Sequence, residues 1–197
     1  MKRYKLICLL IIPLVLTFTF LLFKTKSKKY FDGNTHLYKG QCLAENHQVS
    51  LLKLSERASW LNTEQYVHTI IKDKVETMIN DAEKEGFCLV VTSGYRSSEK
   101  QRSLWEKSNF SDLVAPPNCS EHQTGLAVDL QACPMKDGKR DDSVERLELK
   151  NSFEELPEYQ WMVKNAGKYG FEESFTKENE KITGYPVETW HWKFIIE

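Results

Sequence analysis

Apolar residues recur at helical spacing from Glu64 to Lys84, where Val67, Ile70, Ile71, Val75, Met78 and Ile79 fall among charges. The pattern predicts one amphipathic helix ended by Gly86. The period then changes. Residues 87–92 form a short valine-rich run, the mark of a buried strand, which would deliver Tyr95 and Arg96 to a site at its end. Ser97 or Ser98 is placed to cap a second helix running to about Lys107. Beyond the Pro116-Pro117 loop, alternation puts Leu126, Val128 and Leu130 on one face of a strand and Ala127 and Asp129 on the other, with Gly125 marking a bulge or a loop-to-strand transition. Pro157 opens a helix to about Lys168 that Gly170 closes. Residues 171–175 and 190–196 read as late strands. In the second, His191, Lys193 and Ile195 share one face while Trp192, Phe194 and Ile196 share the other. The charged segment 135–151 reads as an exposed, solvated insertion, and 181–187 as a pocket rim. These elements describe an α+β domain with a small, mostly antiparallel sheet flanked by helices.

One stretch belongs to a different solvent. Residues 6–23 are an uninterrupted apolar run that approaches the roughly 20 residues needed to cross a bilayer. It ends in Lys24-Thr-Lys-Ser-Lys-Lys29 rather than in a small-residue cleavage site, so it reads as a retained transmembrane helix and signal anchor. The chain then divides into a short cytoplasmic tail (1–5), the anchor (6–23), a basic linker (24–36) and one domain (37–197). Lysines and arginines flank the run on both sides, so the positive-inside comparison is nearly balanced. Cys8 lies inside the run and not at its end, where a lipoprotein cysteine sits. The formal net charge of −1, with both signs interspersed, argues against a nucleic-acid surface.

Two segments carry chemistry: Ser120-Glu-His122-Gln-Thr-Gly125-Leu-Ala127-Val-Asp129 and Glu188-Thr-Trp190-His191. Together they supply two imidazoles, His122 and His191, and, in Asp129 and Glu188, a pair of carboxylates, a set able to hold and use a zinc ion. Lone histidines are common, and the specificity comes from likeness. The segments resemble the paired signatures S-x-H-x-x-G-x-A-x-D and E-x-W-H of the VanY-type zinc D,D-carboxypeptidase and D,D-dipeptidase family. Ser93-Gly-Tyr95-Arg96-Ser97, followed by Gln101, resembles the S-G-Y-R-S stretch upstream. The resemblance covers about residues 92–194. It departs at Lys193, where the family favours arginine, so a planar fork becomes a point charge.

Carried over, the resemblance implies one Zn2+ per chain on His122, Asp129 and His191, with a fourth position left open for water. It implies Glu188 as general base and later acid, and Arg96 facing the developing oxyanion. Ser120, Tyr95, Gln101 and Trp190 are the substrate-contact candidates, with Trp190 and Trp192 as wall residues. The implied fold is the hedgehog/D,D-peptidase-like one. The implied activity is removal of the terminal D-alanine from peptidoglycan stem peptides or their lipid-linked precursors, by a domain held outside the bacterial cell membrane, with a role in glycopeptide resistance. Alternatives are an L,D-carboxypeptidase, a cell-wall endopeptidase, or a non-catalytic wall-binding module on the same fold, against which the retained Glu188 argues.

Cysteine offers a competing metal reading, because Cys119-x-x-His122 with Cys133 downstream also suits structural zinc. That reading leaves Asp129, Glu188 and His191 without a joint role. Cys42, Cys88, Cys119 and Cys133 permit two disulfides in an oxidising compartment. A Cys119–Cys133 bridge would hold the zinc loop and leave Cys42 with Cys88, while Cys88 reads equally well as a small buried hydrophobe. His36, His47 and His68 have no partner at metal spacing, and His68 falls on the surface of the first predicted helix.

Overall fold

The computed structural model describes residues 41–196 apart from 45–46, 62, 110, 112, 142 and 144–152. The predicted anchor at residues 6–23 lies outside them, and no described helix is long and apolar enough to cross a membrane. In chain order the strands are β1 (Leu51–Lys53), β2 (Tyr66–His68), β3 (Leu89–Ser93), β4 (Ala127–Ala132), β5 (Met135–Lys136), β6 (Lys139–Arg140), β7 (Phe171–Glu173) and β8 (His191–Phe194). The α-helices are α1 (Lys72–Lys84), α2 (Ser98–Lys107), α3 (Pro157–Asn165) and α4 (Glu180–Thr183). Four strands form an antiparallel sheet in the order β3-β4-β8-β7.

Alternation sorts the faces of this sheet. Val128, Leu130 and Trp192 point to the side where α1 contributes Val75, Met78, Ile79 and Ala82, and α3 contributes Trp161 and Met162. Burying each such aliphatic side chain is worth about 1.5–3 kcal/mol, so the helices are held by that one face. The other face is left for chemistry. Asp129 sits directly opposite His191, and Ala127 opposite Lys193, in the β4–β8 register. Directly opposed residues put their side chains on one face within contact distance.

The structure departs from the sequence reading in four places. The apolar period from 64 to 71 is not helical: α1 starts at Lys72, while residues 66–68 pair antiparallel with β1. Val67 and Ile71 are both buried at four-residue spacing, which a strand followed by a turn imitates. His68 therefore ends a strand, where its Nδ1 accepts from the Ile70 N–H. Segment 135–151 begins as the β5–β6 hairpin, pinned by Arg140, which donates to the carbonyls of Arg57 and Ser59.

The disulfides are Cys42–Cys119 and Cys88–Cys133, not Cys119–Cys133 with Cys42–Cys88. Strand register explains the second bridge, since Cys88 and Cys133 are the next opposed pair after Leu89 and Ala132, and the Cys133 N–H donates to the Cys88 carbonyl. Cys42 reaches Cys119 because the neighbouring Leu43 N–H donates to the Asn118 carbonyl at 2.6 Å.

Candidate active site

His122, Asp129 and His191 meet at the uncovered face of the sheet. Each offers one ligand atom, and these atoms lie within 4.8 Å of one another. His122 Nε2 is 3.2 Å from Asp129 Oδ2, and His191 Nδ1 is 3.0 Å from Asp129 Oδ1. Register delivers Asp129 and His191. His122 arrives differently, on a 3-10 turn (Glu121–Thr124) that ends at Gly125 in the left-handed region, with φ at 69°. A Cβ on Gly125 would stand 2.9 Å from the His68 nitrogen, so glycine is required twice over, for conformation and for space. The Gly125 residue is thus the transition from turn to strand, and the irregularity in the sheet lies instead between Val91 and Ser93 of β3.

The stretch 93–97 leaves β3 and frames this cluster. Gly94 passes so close to β2 that an added Cβ would meet the Tyr66 carbonyl oxygen at 2.4 Å. Its own carbonyl accepts from His122 Nδ1 at 2.8 Å, which puts the imidazole proton there and turns Nε2 toward Asp129. Arg96 is fixed at both ends of its fork, donating from Nη1 to Gln101 Oε1 and from Nη2 to Ser93 Oγ, each at 2.9 Å. Its Nη2 also lies 3.7 Å from Asp129 Oδ2. Ser97 caps α2 by accepting from the Lys100 N–H.

Glu188 and His191 are three residues apart because a turn joins them: the His191 N–H donates to the Glu188 carbonyl at 3.0 Å. The Glu188 N–H is itself tied to the Phe175 carbonyl. The Phe175 ring stacks on the His191 imidazole at 5.1 Å.

A cavity of about 240 Å³ opens on these groups. Of the residues singled out in the sequence, His122, Asp129, His191, Glu188 and Arg96 line it, together with Ser120, Gln101 and Trp190. Tyr95 does not; its backbone serves instead, donating to the Tyr66 carbonyl. Both ends of the Gln101 amide are engaged within the protein, with Nε2 donating to the Ala115 carbonyl at 2.5 Å. Trp190 is 38% exposed at the rim, whereas Trp192 is in the core. Leu104, Leu113, Val114, Phe175 and Tyr185 complete an apolar part of the wall that no motif announced.

Sequence reasoning missed one buried acid. Glu121, 3% exposed, accepts from His191 Nε2 at 2.9 Å and from Ser174 Oγ at 2.6 Å, and its Oε1 lies 3.8 Å from Lys193 Nζ. Lys193, the position that departs from the family pattern, thus faces Glu121 and is not part of the cavity wall. Burial pushes its ammonium below the ordinary value, with Glu121 opposing that shift.

Opposite charges at the cluster oppose burial. Burial alone would push the Asp129 carboxyl up, yet His122 and His191 hold it well below the usual range. Burial lowers His122, while at His191 the hydrogen bonds to Asp129 and Glu121 outweigh burial and push the imidazole up to about 10. A pocket that favours a cation so strongly on His191 also suits a divalent metal, and two imidazole nitrogens with one carboxylate oxygen fit zinc. The Cys119–His122 alternative fails, because Cys119 is consumed by its bridge to Cys42.

A family model described as VanY D-alanyl-D-alanine carboxypeptidase matches residues 64–197. The chain belongs to this family. YodJ of Bacillus subtilis is 34% identical over 137 residues, covering 66% of this chain and 46% of its own length. The solved LdcB LD-carboxypeptidase is 30% identical, with a TM-score of 0.66, and covers 80% of this chain and 74% of the other. A vancomycin-resistance D,D-pentapeptidase VanY, solved as a glutamate-to-alanine mutant with Zn(II), shares the mixed helix and sheet fold at 23% identity, a TM-score of 0.60, and 82% and 87% coverage. The chain spans about half the length of the curated VanY-family relatives it matches.

Proposed function

We propose that this chain is a zinc-dependent D,D-carboxypeptidase that removes the terminal D-alanine from peptidoglycan stem peptides or their lipid-linked precursors. The observation that carries the reading is a single cavity lined at once by the His122, Asp129 and His191 cluster, by Glu188 and by Arg96. Membership of the VanY family supports the substrate class.

In this reading His122, Asp129 and His191 would hold the metal. A zinc ion held there would supply Lewis acidity toward a water and a peptide carbonyl. Glu188 takes a proton from the attacking water as the water oxygen bonds to the carbonyl carbon, and then returns that proton to the amine nitrogen as the carbon–nitrogen bond breaks. Arg96 presents a fixed guanidinium to the oxygen on which negative charge grows. Ser120 and Trp190 lie at the wall, where they would contact the peptide.

The LdcB likeness favours a second reading, an L,D-carboxypeptidase acting on a tetrapeptide. The deciding experiment offers the full-length chain a stem pentapeptide ending in D-Ala-D-Ala and a tetrapeptide ending in one D-Ala, with and without chelator and added zinc, followed by mass spectrometry. Loss of one alanine from the pentapeptide alone, abolished by chelator and restored by zinc, is the expected result. Trimming of the tetrapeptide alone would establish the L,D reading, and cleavage of neither would overturn both.

The apolar run at residues 6–23 supports a single-pass anchor in a bacterial membrane, with the catalytic domain outside, where wall peptides lie. Trimming stems there would lower the density of glycopeptide targets, hence a part in resistance. Protease added to intact protoplasts is expected to remove the domain. A domain protected until the membrane is permeabilised would refute that orientation.

A further inference from the structure

We propose that Glu121 is a positioning residue for His191, fixing which of its ring nitrogens faces the metal, and that Ser174 and Lys193 hold Glu121 in place. This inference rests on the reading of the cluster as a zinc site. A neutral imidazole carries one N–H, and the metal needs the other nitrogen bare. Glu121 Oε2 stands 2.9 Å from His191 Nε2. A carboxylate there would keep the proton on Nε2 when a metal takes the place of the proton on Nδ1, the nitrogen that faces Asp129.

The surroundings of Glu121 are built for that task. Its side chain is 2% exposed, so water does not compete for its oxygens. Ser174, fully buried, donates to the same Oε2 at 2.6 Å, which limits the positions that oxygen can take. Lys193 Nζ stands 3.8 Å from the other oxygen and balances the charge that burial would otherwise penalise. Two elements are thereby coupled. The 3-10 turn carries His122 and, one residue earlier, the acid that orients His191, while β8 carries His191 and, two residues later on the same face, the cation that balances that acid. The two histidines are held unequally, His122 by the neutral Gly94 carbonyl and His191 by an anion.

The test is the zinc affinity of the full-length chain, from competition with a chromophoric chelator, for wild type, Glu121→Ala, Glu121→Gln and Ser174→Ala. Circular dichroism and thermal melts of the metal-free forms run alongside. Glu121→Ala is expected to bind zinc about 10- to 100-fold more weakly, as removal of such outer partners does elsewhere. Glu121→Gln keeps an oxygen that accepts the N–H, and should fall between alanine and wild type. The visible spectrum of the cobalt(II) form should change in Glu121→Ala and be largely preserved in Glu121→Gln. If Glu121 were only part of a buried ion pair, its loss would lower the melting temperature and leave zinc affinity and the cobalt spectrum at wild type; that outcome overturns the proposal. Should Glu121→Ala fail to fold, wild-type affinity in both Glu121→Gln and Ser174→Ala overturns it equally. Wild type that binds no zinc would bring down the zinc reading itself, and this inference with it.

Discussion

Glu188→Gln is expected to cut turnover of the D-Ala-D-Ala pentapeptide by roughly 100- to 10,000-fold, the usual contribution of a positioned proton-transfer group. Peptide binding and zinc content should survive. The amide is nearly isosteric with the carboxylate, and the Glu188 backbone remains tied to Phe175 and His191. Glu188 stands apart from the ligand cluster, so its loss removes a base and not a metal ligand. A wall-binding module would bind peptide equally well in both forms and cleave it in neither. Burial pushes the Glu188 carboxyl above its ordinary range, opposed by His191 and Arg96 and reinforced by Asp129 and Glu121. A base works deprotonated, so kcat/KM should rise with pH through an acid limb set by Glu188, which burial moves up and a bound dication would move down. That limb should vanish from the residual activity of Glu188→Gln. Steady-state kinetics across pH, with bound zinc measured at each point, checks both statements; a variant with near-wild-type kcat would assign the proton transfer elsewhere.

Arg96→Ala should lower kcat by about 100- to 1,000-fold, the range seen when one preorganised oxyanion donor is lost. KM should change far less, because the guanidinium is held against a charge that grows only in the transition state. Arg96→Lys separates charge from shape. The lysine keeps the positive charge but cannot span Gln101 Oε1 and Ser93 Oγ as the fork does, so an intermediate kcat is expected. Arg96 also approaches Asp129, so zinc content must be measured in parallel. Loss confined to KM would move Arg96 from transition-state stabilisation to ground-state binding.

The sequence was most legible where local rules and the final contacts agree. Alternation around Val128 and Trp192 sorted the faces of β4 and β8 correctly, since one face must be apolar to meet α1 and α3. Ser97, Pro157 and Gly170 marked helix ends, because caps depend only on neighbours in the chain. Residues 64–71 misled, since a strand followed by a turn buried Val67 and Ile71 at a helical interval. Cysteine pairing depended on strand register, and the Cys42 contact on a loop packing that no local pattern encodes. At the site, the motifs located the groups around the cavity but were silent about Glu121. It stands at the position that the S-x-H signature leaves unspecified, and an exposed loop acid has the same local sequence as a buried one. Its importance comes from Ser174 and Lys193, more than 50 residues away in the chain. Tyr95 shows the converse, a residue inside a motif whose side chain stays off the cavity wall.

In the sheet order β3-β4-β8-β7, the strand with the highest residue numbers occupies an interior position. Until His191–Phe194 is inserted, β4 lacks a partner on one side and β7 has none in the sheet. Asp129 faces no second imidazole, and Trp192 is missing from the core. Closing this arrangement requires contacts across 62 residues, between Asp129 and His191, which are slow to form compared with local ones. A growing chain that has not yet reached residue 191 therefore carries most of its mass and one imidazole of the cluster, but no complete catalytic apparatus. Assembly of the cluster therefore waits on β8, and a chain interrupted before it is expected to lack the second imidazole and, with it, the proposed hydrolysis.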